Sequence, residues 1–223
     1  MSKNIIVAID ESELTSLKDI IDSLDSDKCM IKIGSVAFNS IGHKSIFYAA
    51  EKGFDIFLDL KLHDIPNTVK KSIQGLTSLP IKMLTIHTSG GKDMMMAAME
   101  AVSGTDIKIF GVTALTSLSD DDSSDIFQRT ASEQVNAMLD LAELAVIDGV
   151  VCSPHELELV AQRESLLSIT PGIRIQNSND DQKRVMTPME AIKLGADYLV
   201  IGRPITSSTN IEESLSKIYE SIQ

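Results

Sequence analysis

Along its whole length the chain alternates between two patterns. Short runs of consecutive apolar residues give way to longer segments in which apolar positions recur every three or four residues. The runs are IIVAID (5–10), MIKIG (30–34), DIFLDLKL (55–62), KMLTIH (82–87), IKIFGVTA (107–114), DGVVCS (148–153), LLSITPG (166–172) and DYLVIGR (197–203). Most begin about 25 residues after the one before, which is room for a strand, a helix and two tight loops. Near-continuous Val, Ile and Leu suit the strands of a parallel sheet covered on both faces. The segments between them read as helices. SELTSLKDIIDSL offers Ser12 as an N-cap, and GGKDMMMAAMEAV follows the same pattern. SPHELELVAQRE places Glu156 three residues after Ser153, the spacing of a capping box. NIEESLSKIYESI reads as an amphipathic closing helix.

Eight such units predict an α/β protein, a single (β/α)8 barrel domain of the TIM-barrel type over residues 1–223. A doubly wound open sheet is the alternative. It normally has fewer strands, and no GxGxxG follows the first run. Two stretches break the rhythm. LTSLSDDDSSDIFQRT (115–130) and GIRIQNSNDDQKRVMTP (172–188) are polar and follow the fifth and seventh strands. Both fall on the face where barrel active sites lie, as polar loops that could close over a ligand or as tolerated surface insertions. The acidic run Asp120 to Asp122 belongs to no motif.

Composition narrows the field. With 223 residues and 43% hydrophobic content, the chain suits one large domain, or at most two small ones, and is long enough for a substantial core. A net charge of -12 argues against nucleic acid or an anionic membrane as a partner. An anionic substrate would need a local cluster of donors working against that field. Cys29 and Cys152 are the only cysteines and fit no metal or redox spacing. The N-terminus enters a strand without a signal-peptide pattern, and no apolar stretch is long enough to span a bilayer. A soluble, cytoplasmic protein is the expectation.

Against that apolar background, LDLKLHDIPNTV (58–69) stands out, with Asp59, Lys61 and Asp64 in a run that otherwise reads as buried. Charge is costly to bury unless it is paired. Residues two apart on a strand share a face, so Asp59 and Lys61 point one way and Leu58, Leu60 and Leu62 the other. If the leucines pack on the helices, the charged pair faces the barrel interior near its top. Pro66 suits the first turn of a helix and ends the strand. Lys32 and Asp10, from neighbouring strands, can complete an alternating network. A purely structural ion-pair network is the rival reading, but four charges at the catalytic end of a barrel favour function. His63 and His87 fit a structural or a participating role equally. After strands seven and eight, PGIR and IGRP pair glycines (Gly172, Gly202) with arginines (Arg174, Arg203), as a phosphate site needs.

These residues carry a resemblance. LDLKLHDIPNTV resembles the D-x-K-x-x-D signature of the orotidine 5'-phosphate decarboxylase family. IIVAID, MIKIG, TIHTSGG, VTALTS, DGVVCS, TPGIR, DDQKRVMTP and GADYLVIGRPI are similar to that family in the same order along nearly the whole chain. The D-x-K-x-x-D core alone is shared with sugar-phosphate lyases such as 3-keto-gulonate 6-phosphate decarboxylase. The HDIPNTV continuation and the DDQ stretch are more specific.

The resemblance implies decarboxylation of orotidine 5'-monophosphate to UMP, with no cofactor and no metal, in a homodimer with shared sites. It implies that Lys61 protonates C6 of the pyrimidine and that Asp59 sits beside the departing carboxylate. Lys32 would hold Asp59 and the ribose, and Asp10 a ribose hydroxyl. Asp64 and Thr68 would reach into the neighbouring subunit's site. Thr116 would meet the pyrimidine edge, and Gln182 would bridge base and phosphate. Arg203, with the backbone amides of Gly202 and Arg203, would grip the phosphate, while Pro171 and Arg174 open the loop over it. Two other readings stand beside this one. A sugar-phosphate decarboxylase or aldolase on the same barrel would be expected to need Mg2+, and a phosphate-ligand-binding barrel would bind without turnover.

Overall fold

The computed structural model describes residues 4–115, 118–174 and 186–223. Eight parallel strands close in sequence order into a barrel. They are β1 (Ile5–Ile9), β2 (Cys29–Gly34), β3 (Ile56–Leu62), β4 (Met83–His87), β5 (Lys108–Val112), β6 (Gly149–Val151), β7 (Leu167–Thr170) and β8 (Tyr198–Ile201). Closure is made by β1 on β8, with Ile5 opposite Leu199 and Val7 opposite Ile201. The described helices are α1 (Leu14–Asp22), α2 (Ser35–Ile41), α3 (His43–Glu51), α4 (Pro66–Leu76), α5 (Lys92–Ala101), α6 (Asp120–Phe127), α7 (Ala131–Ala145), α8 (Leu157–Val160), α9 (Pro188–Lys193), α10 (Arg203–Thr206) and α11 (Ile211–Ser221). The expected TIM barrel is therefore the fold. None of the described helices is long and apolar enough to cross a membrane.

Strand alternation splits the core into two layers. Ile5, Val7, Ile9, Ile31, Ile33 and Leu58 face outward and pack with the helices. Ile6, Ala8, Met30, Phe57, Met83, Phe110, Ile169 and Val200 face inward and fill the barrel. Along the first three strands the inward series changes character. Ile6 and Ala8 lead to Asp10, Met30 leads to Lys32, and Phe57 leads to Asp59. Apolar side chains thus plug the lower barrel, and charge begins where the strands end. Phe110 is the centre of the plug, edge-on to Phe57 at 6.5 Å and to Tyr198 at 6.4 Å. Such edge-to-face contacts are a favourable aromatic geometry. Gly149 makes the space, since a Cβ there would lie 2.3 Å from the Leu167 carbonyl oxygen and 2.6 Å from the Phe110 ring.

Local signals set most helix starts. Pro66 occupies the first turn of α4, where its missing N–H costs nothing. The Ser153/Glu156 capping box forms as expected, but it opens a 3-10 turn (Pro154–Glu156) and only a short α8. Two expectations need correction. Ser12 does not cap α1: the N-cap is Glu13, with no side-chain capping bond. The stretch 115–130 is not one polar loop either, because Asp120–Phe127 folds as α6. Ser119 and Asp122 form a capping box there, and Asp120, Asp121 and Asp122 fill the first turn. Acidic groups favour a helix N-terminus, which gives the unplaced acidic run its physical reason.

We expect Gly149→Ala to destabilise the barrel by about 3 kcal/mol, because the added methyl meets backbone on one side and a packed ring on the other. Urea unfolding measures this, and a loss below about 0.5 kcal/mol would mean that the aromatic plug relaxes freely.

Candidate active site

The C-terminal ends of the strands surround a cavity of about 610 Å³. Asp10, Lys32, Asp59 and Lys61 line one part of it. Pro171, Gly172, Arg174, Gly202 and Arg203 line another, and Ala8, Phe57, Val112, Val151 and Val200 contribute apolar surface. Register explains the first group. Ala8 stands opposite Lys32 across β1 and β2, and Gly34 stands opposite Asp59 across β2 and β3. Side chains that alternate inward on adjacent strands therefore converge within ion-pair distance.

The charges alternate in sign. Lys32 Nζ lies 3.5 Å from Asp10 Oδ1 and 3.3 Å from Asp59 Oδ2. Lys61 Nζ donates to both Asp59 carboxylate oxygens at 2.7 Å. Asp59 is the buried centre, 7% exposed, while Asp10 and Lys61 open towards the cavity. Burial is the largest influence on the Asp59 carboxyl and opposes its ionisation. The Lys32 and Lys61 charges, with hydrogen bonds from Lys61 and Thr85, overcome it and hold the pKa below the usual carboxylate value. Gly34 keeps the array compact, since a Cβ there would lie 2.9 Å from Lys32 Nζ and 3.2 Å from Asp10 Oδ1.

Lys61 reaches Asp59 by a route that simple alternation does not describe. Its backbone is left-handed, with φ 52°, and the pairing of β3 with β4 shifts between Leu58 and Leu62. Leu58 is in the outer core, and Leu60 and Leu62 pack against it as expected. Beside this bulge, Thr85 from β4 accepts from the Lys61 N–H at 2.9 Å and donates to Asp59 Oδ1 at 2.9 Å. Sequence reasoning passed over Thr85. It stands two residues after inward-facing Met83 and two before His87, so the same period-two argument picks it out. His87 itself lies beside His63, with ring centroids 5.3 Å apart and the rings tilted by 42°. Burial, then His63 and Lys61, hold its pKa below the ordinary histidine value.

The remaining predicted residues divide. Asp64 and Thr68 are not brought to Lys61 within one chain. They stand exposed where α4 begins, and Asp64 accepts from the Ile65 N–H at 2.7 Å. Arg174 is buried beside the cavity, and its guanidinium donates to the Ile173 carbonyl at 2.9 Å. Arg174 and Gly172 also pair with Met186 through the backbone, which joins the two ends of the stretch after β7. Gly202 and exposed Arg203 line the same cavity at the start of α10, directly after the strand that neighbours β1. Thr116 and Gln182 lie outside the described residues. Among the described residues, no group of three or more His, Cys, Asp or Glu side chains is placed to hold a metal ion.

A closed parallel barrel with an alternating charge array and a glycine–arginine rim around the cavity at its C-terminal mouth has the architecture of a TIM-barrel enzyme. Comparison with known proteins narrows this. Residues 3–218 match the model of the family described as "Orotidine 5'-phosphate decarboxylase / HUMPS family". The orotidine 5'-phosphate decarboxylase of Saccharophagus degradans is 44% identical over 220 residues, covering 96% of this chain and 92% of that one. That of Legionella pneumophila (strain Paris) is 38% identical over 229 residues and covers all of both chains. The crystal structure of orotidine 5'-phosphate decarboxylase from Lactobacillus acidophilus superposes with a TM-score of 0.88 at 31% identity, over all of both chains. The chain belongs to the orotidine 5'-phosphate decarboxylase family, and with it is a decarboxylase of pyrimidine biosynthesis.

Asp59 links the site to stability. Its depressed pKa means that its contribution is complete above the unfolded value, about 4, and is lost as pH falls through the lower folded value. Asp59→Asn should therefore cost about 3 kcal/mol at pH 7, because two ammonium groups lose their shared counter-ion, and less at pH 3. Urea unfolding at both pH values checks this, and equal penalties would count against an ionised Asp59.

Proposed function

We propose that the chain converts orotidine 5'-monophosphate to uridine 5'-monophosphate and CO2 without a metal or an organic cofactor. One observation carries the reading: the Lys61 ammonium is held 2.7 Å from both oxygens of a buried carboxylate at the cavity wall, with Lys32 on that carboxylate's other side. The C6–carboxylate bond breaks, its electron pair stays on C6, and CO2 departs. That pair lies in the ring plane, where the ring orbitals do not delocalise it. A fixed positive charge must then stabilise it, and preorganised electrostatics of this kind is a strong catalytic effect in a water-poor site. Lys61 supplies the charge and then its proton, which goes to C6. Solvent reprotonates the amine.

Asp59 aims the Lys61 ammonium, and Lys32 holds Asp59 from its other side. Asp59 beside the substrate carboxylate would add repulsion that is relieved as CO2 leaves. Asp10 and Lys32 are placed for the ribose hydroxyls. In this reading Arg203, Gly202, Pro171 and Arg174 form the phosphate end, and the family resemblance implies that Thr116 would meet the pyrimidine edge and Gln182 would bridge base and phosphate. Binding the phosphate far from C6 can supply energy that is used at the reacting centre.

The reading includes a homodimer with shared sites. Asp64 stands exposed just before α4 and Thr68 on its first turn, on either side of Ile65, which is 67% exposed. Exposed Ile65 is the kind of apolar surface that a partner subunit would cover. The reading also keeps the enzyme in a reducing, cytoplasmic compartment, where Cys29 and Cys152 remain buried free thiols.

The direct test is the ultraviolet absorbance change of orotidine 5'-monophosphate on incubation with the purified protein, with and without EDTA. Loss of substrate absorbance that EDTA leaves unchanged is expected. No change, from folded protein, would overturn the substrate assignment, and loss only without EDTA would point to a metal-dependent lyase. Lys61→Ala should lower kcat by about a thousandfold or more with the fold retained by circular dichroism. Turnover within about tenfold of wild type would exclude Lys61 as the proton donor. Mixing inactive Lys61→Ala and Asp64→Ala proteins should restore activity, because a hybrid dimer regains one complete site. No recovery after proven subunit exchange would argue for sites built from one chain.

A further inference from the structure

Among the described residues, three non-glycine residues have a left-handed backbone: Lys61, Gln128 and Val146. Gln128 and Val146 are the C-caps of α6 and α7, where that conformation is routine. Lys61 is different. It lies within β3, where the chain should be extended, and a lysine held left-handed there is disfavoured. Such a conformation persists only where its surroundings hold it.

The surroundings are unusual in one respect. From Leu58 to Leu62 the pairing on β4 advances only from Leu84 to Ile86, so four steps of β3 face two of β4. The extra chain forms a bulge that turns the Lys61 N–H away from the regular ladder. That N–H donates to Thr85 Oγ1 at 2.9 Å. The Thr85 hydroxyl in turn donates to Asp59 Oδ1 at 2.9 Å, and Asp59 pairs with Lys61 Nζ at 2.7 Å. A single hydroxyl therefore closes a ring that runs from the Lys61 backbone through Thr85 and Asp59 to the Lys61 ammonium. Thr85 is fully buried, and as a β-branched residue in a strand it has little rotamer freedom. It does not line the cavity.

We propose that Thr85 is a positioning residue for the proton donor. Its hydroxyl holds Lys61 in the left-handed bulge and orients the carboxylate against which the ammonium is set. The inference rests on the reading of Lys61 as proton donor. Thr85 touches no substrate, so losing its hydroxyl raises the chemical barrier and leaves substrate affinity nearly unchanged.

The test compares wild type, Thr85→Ser and Thr85→Val. The serine keeps the hydroxyl, and the valine keeps the shape without it. With orotidine 5'-monophosphate, the serine variant should stay within about threefold of wild-type kcat, while the valine variant loses about a hundredfold in kcat with KM within about threefold. Thr85→Ala, which removes the hydroxyl and adds no methyl against Asp59, gives the same split should the valine variant not fold. A hydroxyl-less variant within threefold of wild-type kcat, or one that changes KM as much as kcat, overturns the proposal.

A second readout needs no substrate. Exchange of the Lys61 amide hydrogen, followed by NMR, should be slow in wild type and the serine variant and at least about tenfold faster without the hydroxyl. Unchanged exchange overturns the anchoring. Wild-type turnover alone decides the substrate reading, so failure of that reading and failure of the Thr85 role show up in different measurements.

Discussion

One carboxylate sets the terms for the rest of this molecule. Asp59 is nearly excluded from water at the top of the barrel, and a buried carboxylate is stable only if its neighbours replace the lost hydration. Lys32, Lys61 and Thr85 do so from three directions and three strands. Each of these partners has needs of its own. Lys32 also leans on Asp10, Lys61 accepts a left-handed backbone, and Thr85 takes up the N–H that this backbone leaves outside the ladder. Remove the carboxylate and two ammonium groups face each other at the cavity wall.

The barrel makes this arrangement possible by separating two jobs along each strand. The lower, inward positions carry Ile6, Met30, Phe57 and Phe110, a dry plug that needs no hydrogen bonds. The upper, inward positions carry Asp10, Lys32, Asp59 and Lys61, whose charges satisfy one another. The plug keeps the local dielectric low, so charge–charge interactions at the cavity floor are stronger than the same pairs on the surface. An array of this kind is already oriented before any ligand arrives. That suits the proposed reaction, in which a localised carbanion has to be stabilised.

Much of this was legible in the order of residues. The eight apolar runs matched the eight strands to within a few residues, because a strand buried on both faces must be almost wholly apolar. The inward direction of Asp59 followed from the leucines flanking it, and Pro66 marked the start of α4. Less visible was α6. Its polar, acidic sequence lacks an apolar stripe, and its helical form rests on a capping box and on charge at the N-terminal turn. Ser12 failed as a cap for a related reason, since a capping residue identifies the neighbourhood of a helix start but not its register.

By itself, the sequence determined the barrel, the end of it that carries the charges and the identities of the four charged residues there. These depend on periodicity and spacing, which are local properties. Only the tertiary structure decided how the charges meet. Register between β2 and β3 brought Lys32 to Asp59, the bulge against β4 turned Lys61, and Thr85 tied the bulge to the carboxylate, from 24 residues away in sequence in the case of the Lys61 N–H. No local pattern reports a hydrogen bond of that kind, because its partners become neighbours only when the barrel closes.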